Sequence, residues 1–160
     1  MGHVRRIKPF DFASAEIEEI CVANKTMPYE DYRSCRKLSL TVEVFNNNGL
    51  FYDLTQFLSR SGINRSDLIM SIFHKIEEKG GIIGNFYQEF TKEEERNLWK
   101  DEDELRAFVE SPGTIERYID TEYGTNEIYK YRALAVFEHM DELNRIAFEL
   151  GAELLREAGA

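Results

Sequence analysis

The chain has 160 residues, 20 of them Lys or Arg and 30 Asp or Glu, so its formal charge is −10. Hydrophobic residues make up 42% and aromatics 12%, which excludes a solvated coil and fits one globular domain with a core large enough to need no disulfides. No run of about 18 apolar residues occurs, which excludes a membrane-spanning helix, and two cysteines, Cys21 and Cys35, are too few for a disulfide framework and fit a reducing cytoplasm.

Residues 1–15 read as an irregular lead-in, and Met1–His3 fit a leftover expression tag. The start has no apolar stretch after Arg5 and Arg6, so no secretory signal is predicted. Residues 16–160 read as one helical domain. Within it, residues 16–24 (EIEEICVAN) are short, β-branched and bounded by Asn24 and Lys25, which predicts a buried strand, with a helical turn as the competing reading. Pro28 suits the first turn of a helix, where its missing N–H has no helical partner, and Glu30 and Asp31 complement the positive end of the helix dipole. Tyr32, Cys35, Leu38, Val42 and Phe45 then advance at helical spacing to a polar stop at Asn46–Gly49. Leu38, Leu40, Val42 and Val44 also alternate with period two, but the helical stripe is longer and has a proper start.

A second helix is predicted from Leu50 to Ser61, stopped by Gly62. A third is capped by Asn64 or Ser66 and carries Leu68, Ile69, Ile72, Phe73 and Ile76 on one face. Ile82–Phe90 predicts a further helix running on to Trp99 after a kink near Thr91. Asp101 caps a short one, and Ser111-Pro112-Gly113 is a turn. Thr114 starts another helix, closed by Gly124, with Ile115, Tyr118 and Ile119 inward. The last segment, Asn126 to Glu157, has a broad apolar face that includes Phe137. It reads as one long helix or two joined near Met140–Asp141. About seven helices with short loops predict an all-α bundle, with one short N-terminal strand.

The charge is uneven. Residues 1–40 hold seven basic and six acidic side chains, whereas residues 41–160 hold 13 and 24. The acidic part would repel phosphates, so no nucleic-acid binding is expected of it. Its densest stretch, Glu89 to Glu104, has eight acids and three bases and reads as a solvated helix face and connector. Lys25, Arg33, Arg36 and Lys37 cluster in the one part that is not acidic. They could hold a carboxylate or phosphate or face another domain; the alternative is a solvated face pairing with Glu30 and Asp31.

Chemistry-bearing patterns are scarce. His74 precedes Glu77 and Glu78, and His139 precedes Glu142, whereas di-iron bundles place Glu three residues before His; Ser71 and Val136 stand there instead. The histidines therefore read as salt-bridged surface or rim residues. Cys21 and Cys35 have no CxxC spacing and read as buried free thiols. No phosphate-binding glycine loop or GxSxG turn occurs. No residue is assigned a catalytic, cofactor-binding or metal-ligating role. Tyr118, Tyr123, Tyr129 and Tyr131 either line a pocket or cover helices.

The stretch EIEEICVANKTMPYEDYRSCRKLSLTVEVFNNNGLFYDLTQFL, with IERYIDTEYGTNEIYKYRALAVFEHMDEL later, resembles the C-terminal region of radical SAM proteins with an N-terminal cobalamin-binding domain. The likeness spans most of residues 16–150 and is one of composition and order. It implies that residues 16–26 form the last strand of a truncated (β/α) barrel, followed by a helical extension. The family's CxxxCxxC and DxHxxG motifs are absent here. The resemblance therefore implies S-adenosylmethionine, an iron–sulfur cluster and cobalamin only for a larger parent, to which this chain is a non-catalytic accessory domain. Asn24, Lys25 and Thr26, with Arg33 and Arg36, are then the expected substrate or domain contacts, and the rest of the parent is the partner. A barrel strand cut from its neighbours has two unpaired edges, so a homodimer through residues 16–24 is expected. The rival readings are a free-standing acidic helical module that binds a protein through an apolar groove, and a small-molecule-binding bundle.

Overall fold

The computed structural model describes residues 4–6, 13–15, 18–78, 80–119 and 126–159. Two three-residue strands, β1 (Val4–Arg6) and β2 (Ala13–Ala15), pair antiparallel with Val4 opposite Ala15. Seven helices follow: α1 (Tyr29–Val42), α2 (Tyr52–Arg60), α3 (Arg65–Glu78), α4 (Ile82–Arg96), α5 (Glu102–Val109), α6 (Thr114–Ile119) and α7 (Glu127–Glu157). A π-helical turn over Glu43–Asn47 extends α1. The all-α class and the helix order agree with the sequence reading. The strand expected at 16–24 does not form where it is described: residues 18–24 are irregular and mostly exposed, and the strands lie upstream. The segment holds only one apolar residue with a half-buried side chain, Val22, too little to fix a strand face. Residues 16 and 17 and the expected close of a helix at Gly124 lie outside the described residues.

Local chemistry explains most boundaries. Pro28 stands one place before the first turn of α1, with extended backbone (φ −65°, ψ 162°), and Glu30 and Asp31 occupy that turn as expected. Asp101 caps α5 by accepting a hydrogen bond from the Glu104 N–H at 2.9 Å. Asn126 caps α7 by accepting from the Tyr129 N–H. Gly62 ends the α2 turn at φ 82° and Gly81 opens α4 at φ 112°, a region that side chains with a Cβ disfavour. The predicted kink at Thr91 is absent. Thr91 returns its hydroxyl to the Tyr87 carbonyl at 2.9 Å, and α4 runs unbroken to Arg96.

The core is built from α1, the π turn, α2, α3, α4 and α7. Leu40, Val44, Phe45, Leu58, Leu68, Ile72, Phe90 and Leu143 are almost wholly buried. The π turn serves this core, because Val44 and Phe45 both point inward beside Leu40 and Thr41, a four-residue buried face wider than a regular helix presents at one level. Gly151 lets α2 approach α7 closely; a Cβ there would lie 3.3 Å from Leu54 Cδ1. No described helix is long and apolar enough to cross a membrane.

Helix α7 kinks at His139 (φ −130°, ψ 19°), one residue before the expected joint. No proline or glycine stands there. Tyr131 and Ala135 are buried in the first half, and Leu143, Ile146, Ala147 and Leu150 in the second. At about 100° per residue the second stripe is offset from the first by roughly one residue's rotation, and the two halves, joined at the kink, each bury their own stripe. Phe137, assigned to the inner face by spacing, is in fact 86% exposed.

One buried polar contact gives a test of the packing. Thr41 Oγ1 donates to the Lys37 carbonyl at 3.0 Å and lies 3.1 Å from the Tyr87 hydroxyl, which therefore donates to Thr41. Burial pushes the Tyr87 phenol well above its ordinary range. Removing the phenol oxygen leaves Thr41 satisfied, whereas removing the threonine hydroxyl strands a buried phenol. Tyr87→Phe is expected to cost about 1 kcal/mol and Thr41→Val about 2–3 kcal/mol in urea unfolding. Equal losses would contradict the assigned donor direction.

Candidate functional site: a groove between the first and last helices

Three consecutive glutamates on α4 position its neighbours. Glu95 meets Arg33 Nε at 2.9 Å. Glu94 accepts from Nε and Nη2 of Arg36, the latter at 2.7 Å, a two-pronged geometry that fixes orientation as well as contact. Glu93 turns the other way, to Lys130 and to the Tyr131 hydroxyl at 2.8 Å. Residues Glu93 to Glu95 therefore tie α4 to α1 on one side and to α7 on the other. The reading of Glu89–Glu104 as a solvated face is corrected at these three positions; the Glu94 side chain is only 12% exposed.

The same contacts settle where the expected site residues go. Arg33 pairs with Glu30 at 2.9 Å as well as with Glu95, and Lys37 pairs with Glu77 at 2.8 Å. The basic face is thus largely spent inside the chain, on α3 and α4 more than on its own helix. Asn24 organises a local turn: its side-chain oxygen accepts from Thr26 N, Thr26 Oγ1 and Met27 N. Lys25 and Thr26 are exposed beside it. Asn24, Lys25 and Thr26 form one small exposed turn and Arg33 and Arg36 one ion-paired face. The cysteines are exposed rather than buried. His74 is exposed against Phe73, and His139 lies edge-on to Phe86 with ring centres 5.0 Å apart.

An open groove of about 580 Å³ runs between α1 and the start of α7. Leu38 and Val42 of α1 and Ile128 of α7 form its floor and pack on the core. Cys35 and Ser39 edge one wall, and Tyr129 stands on the other. Several of its polar groups are already occupied. Glu43 accepts from Arg132 at 2.7 Å and from Asn47 at 2.8 Å, and Ser39 donates to the Cys35 carbonyl. The Asn47 hydrogen bond, opposed by burial and aided by Arg132, holds the Glu43 carboxyl below its usual range. The Arg132 guanidinium also lies 5.0 Å from the centre of the Tyr129 ring. Tyr129 thus lines a pocket and Tyr131 belongs to the core, while Tyr123 and the side chain of Tyr118 lie outside the described residues. Sequence spacing placed Leu38, Val42 and Ile128 on two apolar stripes; it carried no signal that the two meet at a gap.

A smaller cleft of about 170 Å³ separates Gly80–Gly84 from the second half of α7, where Arg145 is held by Glu142 and Glu149. Among the described residues no group of three or more His, Cys, Asp or Glu converges as metal ligands. The chain matches no family model, no curated protein and no solved structure.

Charge at the base of the groove is unequal. Burial raises the Glu93 carboxyl, but hydrogen bonds from Lys130 and Tyr131 outweigh it and leave the group lowered. Glu127, at the first position of α7, accepts from Asn97 Nδ2 at 2.7 Å. Burial, and then the neighbouring Glu94 and Glu93, hold its carboxyl above the ordinary range. A raised carboxyl binds its proton more tightly folded than unfolded, so its charged form opposes folding, and the penalty fades as pH falls from above the raised value toward the ordinary one. Glu127→Gln is expected to stabilise at pH 7 by about 1 kcal/mol, raising Tm by roughly 2–4 °C. The gain should shrink as the pH is lowered toward the ordinary glutamate range. A gain that grows with acidity would contradict this charge balance.

Proposed function

We propose that this chain is a non-catalytic helical interaction module whose groove between α1 and α7 receives an apolar side chain presented by a helix of a protein partner. The observation that supports it is the groove itself: open, apolar-floored, and with Glu43, Asn47 and Ser39 of its lining already hydrogen-bonded within the chain. Such a site offers shape and apolar area, with few directed polar groups to orient a small substrate. An anchor residue filling a desolvated pocket is how a few contacts dominate a helix-in-groove interface. The accessory role implied by the resemblance to cobalamin-type radical SAM proteins is the same function with the partner in one polypeptide. The exposed free thiols accord with work in the cytoplasm.

The test uses exposed rim positions, so that folding is not at stake. A display library of helical peptides, randomised at one anchor position, is expected to enrich Phe, Trp or Leu there on the native protein. Cys35→Arg places a charge on the groove wall and should weaken the selected peptides at least about tenfold, with unchanged circular dichroism. Selection without apolar anchors, or binding indifferent to Cys35→Arg, would overturn the reading.

A further inference from the structure

The first half of α7 carries two apolar faces. The inner one packs on the core through Ile128, Tyr131 and Ala135. The outer one consists of Tyr129, Ala133, Val136 and Phe137, spaced i, i+4, i+7 and i+8, the pattern of a helix face made to be covered. Tyr129 is 54% exposed and Phe137 86%; Ala133 is exposed and Val136 half-buried. The outer face adjoins the groove, because Tyr129 belongs to both.

We infer that the partner helix is α7 of a second copy, running antiparallel, so that Phe137 of each copy fills the groove of the other. This inference rests on the groove being an interaction site and names its occupant. The argument is one of self-complementarity. A two-fold interface requires that a patch fit itself: if residue i meets residue j, then j meets i. Phe137 lies eight residues from Tyr129, about 12 Å along the helix. Ala133 is midway between them. An antiparallel pair of α7 helices crossing at Ala133 therefore brings each Phe137 level with the other copy's Tyr129 and Ile128, where the groove opens. The small side chain of Ala133 allows close approach at the crossing. A parallel pair would set Phe137 against Phe137 and leave both grooves empty.

The electrostatics permit this despite the overall acidity. Tyr129, Ala133, Val136 and Phe137 carry no charge. Among the described residues the one carboxylate lining the groove, Glu43, is matched within its own copy by Arg132 at 2.7 Å. The patch is thus locally neutral, and self-repulsion between distant acids is screened over roughly 8–10 Å in physiological salt.

Sedimentation equilibrium of the full chain is expected to show a monomer–dimer equilibrium. Phe137→Asp should weaken it at least about tenfold, with unaltered helicity and Tm, because Phe137 contributes little to the monomer core. Cys35→Arg should weaken it comparably from the opposite side of the contact. The geometry is read separately by a Cys21→Ser, Phe137→Cys double variant. Mild oxidation should join Cys35 of one copy to the introduced thiol of the other, shown to be intermolecular by mixing isotope-labelled and unlabelled protein. A monomer at every concentration, or a dimer that Phe137→Asp leaves intact, would overturn the inference. In either case binding of anchor-bearing peptides to the groove still decides the proposed function by itself.

Discussion

Consecutive residues on a helix lie about 100° apart, so three glutamates in a row cannot all face one neighbour. Helix α4 uses this constraint to hold α1 and α7 on opposite flanks: Glu94 and Glu95 turn to Arg36 and Arg33, and Glu93 to Lys130 and Tyr131. These pairs are half-exposed, and pairs of that kind contribute little net stability. Their role is register. The energy comes from the buried apolar side chains beneath, Phe90 of α4 and Tyr131 of α7 among them, whose rings meet at 5.2 Å. The ion pairs select which of several oily arrangements is adopted.

Helix α7 is the second organising element. It meets the core along 31 residues with a kink at His139. The ring of that residue sits edge-on to Phe86, so the non-helical backbone is supported by a contact from α4. The break also divides the labour of the helix. Beyond it, Gly151 admits α2 and the stripe from Leu143 to Leu150 is buried. Before it, one face is buried, the other is open, and the open one is the apolar surface that adjoins the groove.

Much of the architecture was legible because it follows from short-range rules. The stripe Leu68, Ile69, Ile72, Phe73 and Ile76 is wholly buried as its spacing implied, and Asp101 caps α5 as its position implied. What the sequence concealed depends on partners far away along the chain. Glu93 to Glu95 look like solvated acids until Arg33, Arg36 and Lys130 are brought to them from 37 to 62 residues away. Phe137 belongs to the apolar composition of α7, yet it stands two residues past Ala135, about 200° around the axis, and so faces away from the core. Residues 18–24 have β-branched composition but no neighbour to pair with, and composition alone does not make a strand. The groove was the least legible feature, since a gap is where nothing packs, and a one-dimensional pattern records only what does.

The π turn at Glu43–Asn47 carries a consequence for how this fold can change in length. A π turn holds one residue more than the α-helical ladder would. Deleting a single residue there would let the ladder close regularly, and every side chain beyond it would swing around the axis. Phe45 would leave the core, and Asn47 would lose its hold on Glu43. Insertions and deletions between α1 and α2 are therefore forbidden on the helical side and tolerable only at the Asn48–Gly49 corner, so the chain's freedom to drift in size is confined to two residues at this end of the bundle.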